Sequence, residues 1–451
     1  MSSEARLLIK SMIALFELVL AVFLEKRTKK TDKNSSKPSS QTAKDESAKS
    51  SKGTKPSGRE ERDEEFFNSR TIEKTRVAKV QFCNTCGEDL AGTACVAHER
   101  RTKIDIVFEK RVEHVDAEIK TCPNCEVENK GRFPSDMAGP LQYGDGIKAY
   151  IITLVICQMI ALNRVSKMVK TLIGSAISET SILKYILALH MSLEDWEKSS
   201  VEQLLKSKVT NVDETSLRVD KKNYWCHVYS SGDLTLKFLH RKRGKEAVDD
   251  IGVIPRYGGV TVHDCWSTYF SYSNCRHALC GSHILRELTF IVDSNGYKWA
   301  GNMKKLLQEN CKIVSQRKSK KLTPAEYTNL QKRYRNILTR AEKELPAIPK
   351  RAKGKRGKIA KSDAHNLCER LRKHEEALLL FAKLSYVPFT NNRAERDLRM
   401  AKVKQKVSGC FRNTQYAHAY CRISSYIQTM ANKGYNPLIA IQMALRGEIN
   451  S

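Results

Sequence analysis

Lys208-Val-Thr-Asn-Val-Asp213 and Gly258-Gly-Val-Thr-Val-His-Asp264 are two short β-type runs that each stop at an aspartate, and the fold of this 451-residue chain is read outward from them. From Ser207 onward the pattern is β: Lys208 to Val212, Tyr224 to Ser230, Thr235 to His240 and Gly259 to His263 read as strands. Lys245 to Ile251 reads as a short helix between the third and the fourth. Such an order predicts an α/β sheet whose strand ends expose a site, with Asp213 and Asp264 at two of those ends. A third acid, Glu395, lies in Thr390-Asn-Asn-Arg-Ala-Glu-Arg-Asp-Leu-Arg399, a helical stretch. Between Asp264 and Glu395, the sequence from Ser282 to Leu384 is helical in composition and reads as an insertion, about 282–384, in a domain spanning 206–412.

Taken singly, an acid after an apolar run is a turn residue or a helix cap. Two strand-end aspartates and a helical glutamate together make a sufficient first shell for a pair of Mg²⁺ or Mn²⁺ ions. Mg²⁺ takes oxygen ligands and usually only one or two carboxylates per ion. Two such ions roughly 4 Å apart stabilise the charge of a phosphodiester under attack. Beside Glu395, Asn391 and Asn392 are expected to cap the helix, while Arg396 and Arg399 would either face a phosphate or pair with local acids such as Asp397.

Upstream, 140–205 reads as helices. Ile147 to Leu162 is apolar at helical spacing, Arg164 to Leu172 follows, and Ile173-Gly174 breaks before Ser178 caps Glu179 to Leu189. Helix, glycine turn, helix suggests a helix-turn-helix that would turn Thr180, Ser181 and Lys184 to the major groove; a plain helical bundle is the alternative. Residues 76–132 carry Cys83-Asn-Thr-Cys86 and Cys122-Pro-Asn-Cys125, the spacing of a zinc ribbon whose closed four-thiolate site is structural. Cys95 and His98 are possible substitute ligands, and redox pairs the alternative use of the thiols. Residues 27–75 form a basic linker expected to be disordered, since no large apolar residue occurs from Glu25 to Glu65. Residues 1–26 read as an oligomerising helix, because Lys10 and Glu17 interrupt its apolar run; a membrane anchor and a plain packed helix are the other readings. Residues 413–451 read as C-terminal helices.

The chain has 79 Lys plus Arg against 50 Asp plus Glu, a formal charge of +29, which suits a polyanionic partner. In Lys350 to Lys361, Lys353, Lys355 and Arg356 sit among glycines and alanine as a phosphate-contacting loop, or as a merely solvated one. The 14 cysteines, two Cys-x-x-Cys pairs among them, and the absence of a secretory signal point to reduced thiols and a cytoplasmic setting rather than a disulfide framework.

Val212-Asp-Glu-Thr215, Asp264 followed by Tyr269, Cys280-Gly-Ser-His-Ile-Leu-Arg286 and Asn391-Asn-Arg-Ala-Glu-Arg396 together resemble the DDE transposases of the insertion sequence 66 family. Asn34-Ser-Ser-Lys-Pro-Ser39 is similar to the family's polar N-terminal signature, and the two cysteine pairs to its zinc module. Thr390 stands where the family usually has Asp, and Lys404 to Arg412 follows its next motif loosely. The resemblance implies an RNase H-like core with the first strand central. It makes Asp213, Asp264 and Glu395 the catalytic, Mg²⁺-binding residues, with Cys280 and His283 as a supporting Cys-x-x-His element. It also implies DNA as partner (terminal inverted repeats and target), a homo-oligomer, accessory transposition proteins, nucleoid association and no membrane. Rival expectations are a Mg²⁺-dependent nuclease and an inactive, domesticated DNA-binding regulator.

Overall fold

The computed structural model describes residues 3–28, 30, 34, 75–104, 109–137, 139–348 and 361–449. Most of the expected linker, of Asn34 to Ser39 and of Ile104 to Phe108, together with Lys353, Lys355 and Arg356, lies outside the described residues.

β3 (Val209–Val219) runs through the middle of the main sheet, burying Val212, Leu217 and Val219. Asp220 and Lys221, at φ 47° and 61°, make the two-residue turn into β4 (Lys222–Ser231). Two consecutive positive φ values give the primed turn that matches strand twist. β4 pairs antiparallel with β5 (Leu234–His240). On its other side β3 pairs in parallel with β6 (Val260–His263), and β6 with β7 (Arg276–Leu279). The order β5-β4-β3-β6-β7 is a mixed five-stranded sheet compatible with an RNase H-like core, and its central strand is the first in sequence, as expected.

Two sequence readings need correcting. The first strand does not stop at Val212: parallel pairing ends at Asn211↔Val262, but antiparallel pairing with β4 continues to Val219. Asp213 therefore lies inside β3, at the point where that strand outruns β6. The apolar run from Ile147 to Leu162 is not one helix. α2 (Asp145–Ile152) passes into a π-turn over Thr153–Cys157, and Met159 takes φ 60°, which ends the ladder.

α3 (Leu162–Ile173), α4 (Glu179–Ser192) and α5 (Glu194–Leu205) follow and share one core with the antiparallel half of the sheet. After β5 comes α6 (Lys245–Ile251). The expected helical insertion is α7 (Gly281–Asn295), α8 (Lys298–Gln316), α9 (Pro324–Glu344), α10 (Asp363–Lys373) and α11 (Glu375–Lys383). It has its own core, shared with β6 and β7. α12 (Asn392–Ser408) packs on β3 and β4, α13 (Thr414–Asn432) on β5, and α14 (Pro437–Leu445) on α2. α13 also covers the sheet edge: Thr235 N donates to Thr429 Oγ1 at 3.0 Å and Lys237 N to Ser425 Oγ at 2.8 Å.

At the start, α1 (Ser3–Arg27) docks on the insertion through Glu25, whose carboxylate accepts from Asp363 N at 2.6 Å and Ala364 N at 3.0 Å at the head of α10. Among the described residues no helix is long and apolar enough to cross a membrane. Among the described residues of 75–137 the only strands are β1 (Ile119–Thr121) and β2 (Glu128–Lys130), an antiparallel pair.

Candidate active site

β3 delivers Asp213 and Glu214 on successive, opposite-facing positions, so the two carboxylates have different fates. Glu214 is buried, 2% exposed at its side chain, and fully engaged: Arg243 pairs with it at 2.6 Å and Tyr269 OH donates to it at 2.7 Å. Arg243 is itself held against the rings of Trp225 and Trp266. Among the described residues Asp213 has a single donor, the Glu214 N–H on Oδ1 at 2.9 Å. Burial, then the neighbouring Glu214 charge, then Asp264 and Glu395 push its carboxyl up to about 7, against the pull of that N–H. Asp264, just past β6, accepts from Trp266 N on Oδ1 at 2.9 Å. Beneath it His263 is pushed down to about 3 by burial, so its ring stays neutral and meets His277 Nδ1 at 3.0 Å.

Glu395 arrives from the first turn of α12, whose register is set by Asn391. Asn391 occupies the N-cap position, but its side chain makes no cap bond. It reaches across to β3 instead, donating to Val212 O at 2.7 Å and accepting from Asn211 Nδ2 at 2.8 Å. Asn392 is the first helical residue and is exposed, so the expected capping role of the asparagines gives way to a clamp beside Asp213. The Asn391 N–H points at Cys280 Sγ, 3.1 Å away at the head of α7. Gly281 N donates to Phe389 O at 2.8 Å, and a Cβ on Gly281 would strike the Phe389 ring, so only glycine allows this approach.

Around Glu395 the partners split by oxygen. Oε1 faces Cys280 Sγ at 4.0 Å and His283 Nδ1 at 3.7 Å; Oε2 faces Arg286 at 3.9 Å. Burial alone would depress His283, but the Cys280 sulfur and then Glu395 overcome it and hold the imidazole up at about 9. Burial likewise opposes ionisation of Cys280, yet His283 and the Asn391 N–H bring its thiol below the usual range. The supporting element thus touches Glu395 rather than Asp264.

Arg396 and Arg399 are exposed and form no ion pair among the described residues. Asp397 pairs with Arg393 at 2.9 Å, four residues back, because residues one or two apart on a helix face different directions. Asp397 also accepts from Ser230 Oγ at 2.7 Å and Thr235 Oγ1 at 2.8 Å, fastening α12 to β4 and β5. Asp213 and Asp264 form no ion pair among the described residues, Glu395 faces His283 and Arg286, and Glu214 beside them has its own arginine. Carboxylates are hard oxygen donors of the kind Mg²⁺ and Mn²⁺ select.

A sequence model described as Transposase IS66 family matches residues 140–419, which span the helices before the sheet, the sheet, the insertion and α12. The chain belongs to that family. Comparison with curated proteins gives no significant match.

Outside the sheet, this IS66-family chain holds its other expected site residues as follows. α3 and α4 meet at Gly174, φ 76°, and the Ser178 side chain caps α4 by accepting from Ser181 N at 3.1 Å. Ser181 is drawn into that cap, its Oγ 2.9 Å from Ser178 Oγ, while Thr180 and Lys184 are exposed. Each Cys-x-x-Cys forms a knuckle, closed by Gly87 N to Cys83 O at 3.0 Å and Glu126 N to Cys122 O at 2.8 Å. Backbone N–H groups of Cys86 and Thr85 bring Cys83 down to about 7, and those of Asn124 and Cys125 lower Cys122. The four sulfurs are not gathered into one ligand set; the single convergent group of three among the described residues is Cys280, His283 and Glu395. Sequence reasoning missed the Glu214–Arg243–Tyr269 network, Asn211 and Arg286. A buried pair such as Glu214 with Arg243 leaves no local sequence mark, because its partners are 29 residues apart.

Proposed function

We propose that this chain is a DDE-type polynucleotidyl transferase that cuts the ends of its own mobile element and joins them to target DNA. Its family membership supports the transposase role, and the observation that carries the catalytic assignment is the Asn391 clamp, which bonds Val212 O and Asn211 on β3 and so sets the first turn of α12, with Glu395, against the strand that carries Asp213. Asp213, Asp264 and Glu395 would hold two Mg²⁺ or Mn²⁺ ions. Bound there, such ions supply charge stabilisation for the attacking and leaving oxygens. Asn391 keeps the helix carrying Glu395 in register with β3, and the Trp266 N–H fixes the Asp264 carboxylate. Arg396 and Arg399, unpaired on the outer face of α12, contact the phosphate backbone.

DNA ends would be read by α4 through Thr180 and Lys184, and by the cysteine module with Zn²⁺ on Cys83, Cys86, Cys122 and Cys125. Lowered thiol pKa values at Cys83 and Cys122 suit thiolate ligands. The basic stretch with Lys353, Lys355 and Arg356 adds phosphate contacts. Subunits associate through α1, which leaves Met12, Phe16, Val19 and Phe23 exposed, and accessory proteins join on the DNA. Nucleoid association follows from DNA binding. The test is a strand-transfer assay with labelled element ends in Mg²⁺. Joined product in the wild type, lost in Asp213→Asn, Asp264→Asn and Glu395→Gln, is the expected result. Cleavage without joining would make it a nuclease, and DNA binding without either would make it a regulator.

A further inference from the structure

We infer that Cys280, His283 and Glu395 form a binding site for a thiophilic divalent ion, of the Zn²⁺, Cd²⁺ and Co²⁺ class, separate from the hard-metal carboxylate group around Asp213. All three ligand atoms lie within 4.8 Å of one another. Tetrahedral bonds of about 2.3 Å to sulfur and about 2.0–2.2 Å to nitrogen and oxygen put neighbouring ligand atoms about 3.4–3.6 Å apart. The observed separations from Glu395 Oε1, 4.0 Å to sulfur and 3.7 Å to nitrogen, need to close by only a few tenths of an ångström.

Three features prepare the site. His283 Nδ1 is buried with no hydrogen-bond partner among the described residues, so its lone pair is free to bind once the proton leaves. Cys280 stands at the head of the 15-residue α7 and receives the Asn391 N–H, both of which favour thiolate. Arg286 faces the other carboxylate oxygen, Oε2, at 3.9 Å and leaves Oε1 for the ion. Three protein ligands and an open fourth position describe an exchangeable site rather than a closed structural one. A sulfur ligand selects against Mg²⁺, which prefers oxygen throughout. Because Glu395 belongs to both groups, occupation withdraws it from Asp213 and Asp264.

Cd²⁺ titration of metal-stripped, full-length protein, followed by sulfur-to-cadmium absorption, tests this without any activity readout, so its failure leaves the transposase reading untouched. The cysteine knuckles contribute equally to every variant. Wild type should take up roughly one equivalent more than Cys280→Ser. His283→Gln should weaken that equivalent by roughly 100-fold or more, beyond what loss of an outer-shell partner costs. His283→Cys, which keeps a thiophilic ligand, should retain it, and carries the test if Cys280→Ser does not fold. Asp213→Asn and Asp264→Asn should leave uptake unchanged. Equal uptake in wild type, Cys280→Ser and His283→Gln overturns the proposal, as does loss of the ion in the two aspartate variants, which would assign it to the carboxylate group.

Discussion

Between residues 75 and 137 no described residue is buried, whereas β3 and β4 bury residues on both of their faces. Val96 is fully exposed and Ile104 nearly so, while Val212, Leu217 and Cys226 are closed off from water. The two regions therefore draw order from different sources. The sheet is held by apolar burial and by buried polar clamps such as Asn391 and Asp397. Among its described residues the cysteine segment has two knuckles and one short hairpin, little burial to offset chain entropy, so the proposed zinc would be its main source of stability.

The largest test of this contrast is chelation. Structural zinc supplies about 10–16 kcal/mol to small modules, so a chelator should make 75–137 protease-sensitive and leave the melting of the sheet unchanged. A sheet that melts earlier on chelation would break the comparison. Next in size are the acids: Asp213→Asn, Asp264→Asn and Glu395→Gln should each slow metal-dependent cleavage by roughly 10³-fold, about 4 kcal/mol, in single-turnover assays. Arg243→Met leaves Glu214 buried without its cation and should cost about 3 kcal/mol in urea unfolding, the low end for buried pairs because Arg243 is 40% exposed. Its mirror in the cysteine segment, Arg101→Met, removes a pair with Glu99 that lies at the surface and should cost no more than about 0.5 kcal/mol. Asn391→Ala strands the buried Asn211 amide and Val212 carbonyl and should cost about 2 kcal/mol, read by the same denaturant midpoint.

A separate effect is in pH. Asp213 is pushed up from an ordinary carboxylate value to about 7, so the folded state holds its proton where the unfolded chain has lost it. Its contribution to stability is present below about pH 4 and is lost as pH rises to about 7, at most about 1.4 kcal/mol per pH unit. Melting of wild type relative to Asp213→Asn should therefore fall across that window and level off above it, and Mg²⁺ should flatten the slope. A difference that stays constant from pH 4 to pH 7 would show that Asp213 is not crowded.

Much of the sheet was legible because strands of alternating or continuous apolar character carry their own period. Four strands, the helix Lys245–Ile251 and the helical insertion follow from it. β7 was not, since Arg276-His-Ala-Leu is too short to show a period and half of it is polar. The end of β3 was misread for a related reason: Asp213 and Glu214 look like a turn, yet pairing with β4 continues through them. Of the site, the acids stood out by their settings, but the asparagines beside Glu395 read as caps because a cap and a clamp have the same local sequence.

By itself the amino-acid sequence determined the family, the basic character, the cysteine spacing and the positions of the three acids, because each is a local or compositional property. Only the tertiary structure decided which acids stand free and which are neutralised. Glu214 is adjacent to Asp213 in sequence yet is paired with Arg243 from beyond β5, while Asp213 meets the charges of Asp264 and Glu395. Cys280 and His283 were legible as a pair, but their joint approach to Glu395 depends on α7 and α12 meeting at Asn391. Electrostatic fate is set by distance and burial, and these arise when the chain folds back on itself.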